Sequence, residues 1–249
     1  MTAVQPGPST PARRAARTDA SPATRTARLG TAEQPGTAVP ATRLLLACLV
    51  AATPVFGFVS LAQVFTREGF DLLRHPLSML STGDLGWIQI TNFLVSGALT
   101  IAGAAGLRRV MRGTPGGTWA PPLLAVNGVM LVVAGVFVMD PGDGFPAGTP
   151  LGQPTTMSWH AMAHMAAGSI AFAALIAACF VLGRHFSRAG RTGFAVASRI
   201  SGAALVLGNG WAMSGGRAGS LTLCVGVLVA MAWTGVAAAD RLAALRRVV

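Results

Sequence analysis

The sequence contains no lysine and no tyrosine, and its 8 acidic residues face 19 basic ones, every one an arginine. Charged side chains make up only 11% of the chain, against about 25% in ordinary soluble domains. That scarcity excludes a typical soluble domain. It also excludes disorder over most of the length, because disordered chains are rich in charge and poor in apolar residues. There are three cysteines, Cys48, Cys179 and Cys224, with no CxxC spacing among them, which excludes a disulfide framework and a thiolate metal site. No GxxxxGK or GxSxG string occurs, so a phosphate-cradling loop and a nucleophile elbow are excluded as well.

What the sequence has in abundance is apolar length: 52% of its residues are hydrophobic. Residues 1–41 stand apart, built from Pro, Thr, Ala, Gly and Ser with five arginines and two acids. They show no apolar periodicity, and this composition predicts a disordered tail. Beyond Arg43, six apolar stretches follow, over about 44–65, 87–107, 119–139, 160–183, 193–213 and 218–239. About 20 such residues cross a bilayer as a helix, and a β-barrel would need short alternating segments instead. The expectation is an all-α membrane protein, a bundle of six transmembrane helices over 42–241, with 242–249 as a second tail. The first stretch is longer than a signal-peptide core and is read as an uncleaved helix, kinked at Pro54.

The net charge of +11 invites a nucleic-acid reading, but position argues otherwise. Six arginines precede or open the first span. Three fall between the second and third, three between the fourth and fifth, and three after the sixth. The alternate loops hold Arg67, Arg74 and Arg217 alone, and Arg199 lies inside the fifth span. The positive-inside rule then predicts a multi-pass plasma-membrane protein with both termini in the cytoplasm. Its partner is membrane lipid rather than nucleic acid, with the tail arginines at anionic headgroups. Arg199 is expected to snorkel to the same side.

By this topology the outer face collects most of the chemistry. The first outer loop carries Glu68, Asp71, Arg74, His75, Ser78 and Asp84. Pro76 and Gly83 there predict a short interfacial or re-entrant helix over about 76–82. The third span ends at Asp140 before the turn-forming Pro141-Gly142-Asp143-Gly144. The fourth begins at Ser158-Trp159-His160, and His164 follows one turn later on the same face. His75, His160, His164 and Asp140 together form a candidate zinc ligand set. Zinc-bound water would supply a hydrolytic nucleophile, with Ser78 and Asp71 orienting water or substrate. The same residues serve equally as hydrogen-bonding partners that lock helices together. A haem bridged by paired histidines at two depths is disfavoured, since His185 alone lies on the inner side. Asn92, Asn127 and Asn209 are expected to bond between helices. Small residues (Ala163, Ala167 and Ala171; Gly128 and Gly135; Gly219, Gly226 and Ala230) are expected at close helix crossings.

The string Arg74-His75-Pro76-Leu77-Ser78, leading to Gly86-Trp87-Ile88-Gln89 with Phe93 and Gly97, resembles the membrane family called domain of unknown function 998. Asp140-Pro141 with Gly144 and Pro146, and the pair His160 and His164, are similar to that family's second signature, although Ala161 stands where the family carries glycine. The resemblance covers about residues 44–240 and implies a six-helix membrane protein. A more distant similarity is to membrane hydrolases of the alkaline-ceramidase type, whose Ser, Asp and paired histidines surround zinc. Ser78, Asp140, His160 and His164 would imitate that set. Two functions follow: a metal-dependent hydrolase acting on a lipid-like substrate at the outer leaflet, or a non-catalytic scaffold or lipid- or small-molecule-binding protein with a structural polar cluster.

Overall fold

The computed structural model describes residues 35–152 and 154–247. Six α-helices follow one another: α1 Pro35–Thr66, α2 Gly86–Met111, α3 Ala120–Val136, α4 Trp159–Arg188, α5 Thr192–Met213 and α6 Gly219–Arg246. A 3-10 helix, Leu77–Ser81, lies between α1 and α2. There is no named β-strand among the described residues.

Four helices are long and apolar enough to cross a membrane: α1 from Val39, α2, α4 and α6. The fifth, α3, is apolar but has 17 residues, about 25 Å at 1.5 Å per residue. α5 has the length, 22 residues, but Thr192, Ser198, Arg199, Ser201 and Asn209 dilute its hydropathy.

The boundaries differ from the sequence reading at the start of α1 and at the ends of α2, α3, α4 and α6, which close at Met111, Val136, Arg188 and Arg246. α1 begins at Pro35, so residues 35–41 form its first turns and not a disordered tail. Extending an existing helix needs no new nucleus, and Pro35 at the start gives up no intrahelical bond. Residues 1–34, the rest of that expected tail, lie outside the described residues. Pro54 lies inside α1. α6 runs on to Arg246, so residues 242–246 are helical, because Asp240, Arg241 and the Leu245 carbonyl find partners on neighbouring helices.

Each helix packs against its neighbour in sequence, and α1 closes the ring against α6. In lipid no hydrophobic force drives helices together, so close van der Waals packing does the work. Small residues provide it. A Cβ on Gly97 of α2 would lie 2.7 Å from the Gly128 carbonyl oxygen of α3, and one on Gly128 would lie 2.8 Å from that of Gly97. Gly226 of α6 meets the Ala204 carbonyl of α5 at 2.9 Å in the same sense. Ala167 and Ala171 of α4 are buried. Larger side chains such as Leu49, Phe56, Phe93, Leu124, Leu175, Leu182, Phe186 and Leu205 fill the interior.

Polar side chains inside the bundle pair across helices. Asn92 donates to the Phe56 carbonyl and Ser60 Oγ of α1, both at 3.1 Å, and Gln63 Nε2 donates to Gln89 Oε1 at 2.9 Å. Asn127 of α3 donates to the Ala171 carbonyl of α4 at 3.0 Å. All three cysteines are free thiols.

The ring has two distinct ends. At one, Arg43 of α1 donates to the Leu245 carbonyl of α6, so the two terminal segments meet. His185 of α4 bonds the Pro115 carbonyl in the α2–α3 turn and also contacts Arg241 of α6. Arg191 pairs with Asp240 through two bonds of 2.6 and 2.8 Å. Its guanidinium also lies 3.9 Å from the centre of the Phe194 ring. At the other end the α1–α2 and α3–α4 loops fold over the helices as a cap. Four tryptophans, Trp87, Trp119, Trp159 and Trp211, are exposed near helix ends, where interfacial aromatics sit in membrane proteins.

Candidate functional site

The cap is built around Phe145, which is fully buried. Gly142 and Phe145 exchange backbone bonds of 3.0 Å, and Asp143 and Gly144 between them have φ of 52° and 88°. That is the backbone of a type I′ turn, which Asp-Gly favours. The turn presents Phe145 to Phe70 edge-on at 5.1 Å and to the His75 ring at 5.7 Å. Arg67, at the end of α1, lies over the other side of the cap. Its guanidinium is 5.1 Å from the Phe145 ring centre and donates to the Leu80 and Thr82 carbonyls at 3.1 and 2.8 Å. One arginine thereby satisfies carbonyls at the close of the 3-10 helix and fixes the loop to α1.

Asp143 is the hub of the polar contacts. Arg74 forks onto its carboxylate at 2.6 and 3.2 Å and onto its carbonyl at 3.0 Å. The Gly152 amide donates to the same carboxylate at 3.0 Å. Arg74 holds the Asp143 carboxyl below the usual carboxylate range. Ser220 of α6 donates to the Arg74 carbonyl at 2.8 Å, so the cap is also tied to the start of α6. The Asp143 carboxylate is thus engaged by an arginine and by backbone.

His75 is buried, and both ring nitrogens are engaged. The Asp71 amide donates to Nδ1 at 3.0 Å, so the proton sits on Nε2, which donates to the Asp143 carbonyl at 2.9 Å. Asp71 itself accepts from the Leu73 amide at 2.9 Å through Oδ1 and from the His75 amide at 2.7 Å through its carbonyl. That is an Asx turn. Ser78 lies in the 3-10 helix, where its carbonyl accepts from Ser81 Oγ at 2.7 Å.

Asp140, His160 and His164 belong to a second group, where α3 ends and α4 begins. Ser158 caps α4 by accepting from the Ala161 amide at 3.1 Å. Its hydroxyl and amide both donate to Asp140, at 2.6 and 2.7 Å, and these bonds hold the Asp140 carboxyl below its usual range. His160 is exposed and stacks on Trp159 with ring centres 3.8 Å apart. His164 is buried. Its Nδ1 lies 2.8 and 2.7 Å from the Ala134 and Phe137 carbonyls, so it donates to orphan carbonyls at the C-terminus of α3. This also explains why α3 stops at Val136 and not at 139: the last carbonyls turn toward the histidine of the next helix.

The nominated ligands are therefore divided. His160 and His164 share a helix, but one is exposed and the other buried. His75 bonds to Asp143 and not to Asp140. Among the described residues no group of three or more His, Cys, Asp or Glu is placed to hold a metal ion. Sequence reasoning named Arg67, Ser158 and His185 but gave them no bonding role, because Arg67 and His185 meet carbonyls, and Ser158 meets the Asp140 carboxylate, on segments whose approach the sequence does not show. The short loop helix is signalled correctly by Pro76 and by Gly83, whose φ of +72° ends it.

No curated protein and no solved structure matches the chain. A family model described as "Protein of unknown function (DUF998)" matches residues 50–240. That stretch takes in α2 to α5, most of α6, about half of α1 and the whole cap, and the chain belongs to the DUF998 family.

Proposed function

We propose that this chain is a six-span membrane protein with both termini in the cytoplasm, acting as a non-catalytic scaffold or lipid-binding protein whose outer polar cluster is structural. α3 lies at the short end of the spanning range and α5 is less apolar than the rest, yet each packs between two neighbours in the ring. The two-ended arrangement supports the topology. Arg43, the α2–α3 turn, the α4–α5 turn and the end of α6 meet at one end, and these are the arginine-rich segments.

The observation that carries the structural reading is how the polar groups are used. His75 gives both nitrogens to the backbone, His164 closes the end of α3, and Asp140 holds Ser158 at the start of α4. A zinc ion on His75, Asp140, His160 and His164 would require these bonds to be given up and the two groups to be merged, so the residues do not fit that metal as arranged.

Metal content and stability of the detergent-purified chain test this reading. His164→Ala is expected to cost about 1–3 kcal/mol, because it leaves buried carbonyls unsatisfied. His160→Ala is expected to stay within about 0.5 kcal/mol, as exposed positions do. After exposure to zinc, neither variant changes the bound metal. Stoichiometric zinc lost in both variants, with equal destabilisation, would overturn the structural reading in favour of the metal-dependent hydrolase.

A further inference from the structure

The arginine-rich end is short of acids. Of the described acidic residues only Asp240 lies there, and it pairs with Arg191, with Arg241 at 4.0 Å. Arg108, Arg109 and Arg112, at the end of α2, have no carboxylate partner among the described residues. Two of them line a concave site. Arg108, Arg112, Gly113, Gly117 and Thr118 surround a half-open cavity of about 270 Å³. That volume lies just below the range for drug-sized ligands and suits a small charged group.

The turn that shapes this cavity is fixed. The Thr114 amide and hydroxyl both donate to the Met111 carbonyl, at 3.1 and 2.7 Å, and the Gly117 amide returns to the Thr114 carbonyl at 3.0 Å. Gly113 has φ +73°, and a Cβ on Gly117 would lie 1.9 Å from the Met111 carbonyl oxygen. Trp119, 65% exposed, stands beside Thr118 just before α3. An exposed indole next to an apolar helix marks the headgroup level of a bilayer.

We propose that this cavity is a binding site for the phosphate of an anionic phospholipid. Arg108 and Arg112 supply planar donors matched to phosphate oxygens, Thr118 adds a hydroxyl, and Trp119 lies against the glycerol and upper acyl region. The shared chemistry is that of any phosphate ester, but the indole and the flanking apolar helices select a lipid over a soluble ion. The inference rests on the membrane reading, not on which end faces the cytoplasm.

The test is thermal unfolding of the full chain in neutral detergent, titrated with short-chain phosphatidylglycerol, short-chain phosphatidylcholine or inorganic phosphate. Detergent removes sidedness, so an error in the proposed topology leaves the outcome unchanged. Phosphatidylglycerol is expected to raise the unfolding temperature at concentrations where the other two do nothing. Arg108→Gln with Arg112→Gln is expected to weaken that response roughly thirtyfold. Arg184→Gln with Arg188→Gln, which removes equal charge at the same end outside the cavity, leaves it intact. An equal loss in both double variants reduces the effect to bulk charge and overturns the site. An equal response to phosphatidylcholine overturns the anion requirement, and an equal response to inorganic phosphate overturns the lipid assignment.

Discussion

Valine in place of Gly103 is expected to separate α1 from α2 and to destabilise the protein by about 3 kcal/mol or more. A Cβ at this position would lie 2.3 Å from the Cβ of Leu49 and 2.8 Å from its Cα and backbone nitrogen. A flexible side chain could swing aside, but two of these three atoms are main chain, so α1 itself has to move. Overpacking a well-packed interior costs about 1–3 kcal/mol per added group and sometimes more. The displaced helix also carries Phe56, Ser60 and Gln63, whose contacts with Gln89 and Asn92 depend on the same approach. Gly168→Ala in α4 is the control, since nothing lies within 4 Å of a Cβ there. It is expected to be neutral or to stabilise by up to about 1 kcal/mol through helix propensity. Denaturant or thermal unfolding in detergent reads both. Wild-type stability in the Gly103→Val protein would mean that the two helices do not approach so closely.

The second large effect is expected at Phe145. Its ring is fully buried and touches Phe70, His75 and Arg67. Removing a buried phenyl group costs about 3–5 kcal/mol. The loss falls on the cap, since Phe145 packs among loop residues and not between helices. Phe145→Ala is therefore expected to open residues 137–158 to limited proteolysis before the helices unfold. Leu151→Ala changes a side chain that is 79% exposed and is expected to be silent. Equal protease resistance of the Phe145→Ala and wild-type caps would show that the phenyl group does not hold the loops.

These two sites were not equally legible. Helix positions followed from apolar length, and five of the six helix starts fall within a residue of the expected ones. The misplaced start is α1, where a polar tail joins the helix; α2, α4 and α6 run four, five and seven residues past their expected ends, and α3 closes three residues early. At α3 and α6 the chain responds to partners from other segments: His164 takes the last carbonyls of α3, and Arg191 and His185 bond residues in the last turns of α6. Small residues at crossings were partly visible. Gly128 and Gly226 sit in repeating patterns, whereas Gly103 and Leu49 meet only once the α1–α2 register is known. The pairings of Asn92 and Asn127 were foreseeable, because an amide in an apolar span has few alternatives to a neighbouring helix.

The candidate zinc set illustrates the limit of the one-dimensional argument. Sorting polar residues by depth placed His75, Asp140, His160 and His164 at the same end of the molecule. Depth says nothing about direction around the helix axis. His160 and His164, four residues apart, differ by about 40° around a helix of 3.6 residues per turn. At a helix end this is enough to leave one ring on Trp159 at the surface while the other enters the bundle. His75 was similarly near Asp140 in depth, yet the type I′ turn two residues later brings Asp143 to it instead.

By itself, the sequence determined the class of molecule, the number and approximate limits of its helices, and the grouping of its arginines at alternate connections. These follow from composition and spacing along one axis, which hydrophobic length and charge scarcity impose whatever the packing. Only the tertiary structure decided which polar groups meet, because each such bond joins segments far apart in the chain and depends on helix rotation and loop backbone. It placed the suspected ligands in two groups, His75 beside Asp143, and Asp140, His160 and His164 where α3 ends and α4 begins. It also turned Arg108 and Arg112, first counted as topology markers, into the walls of a cavity with no acidic partner.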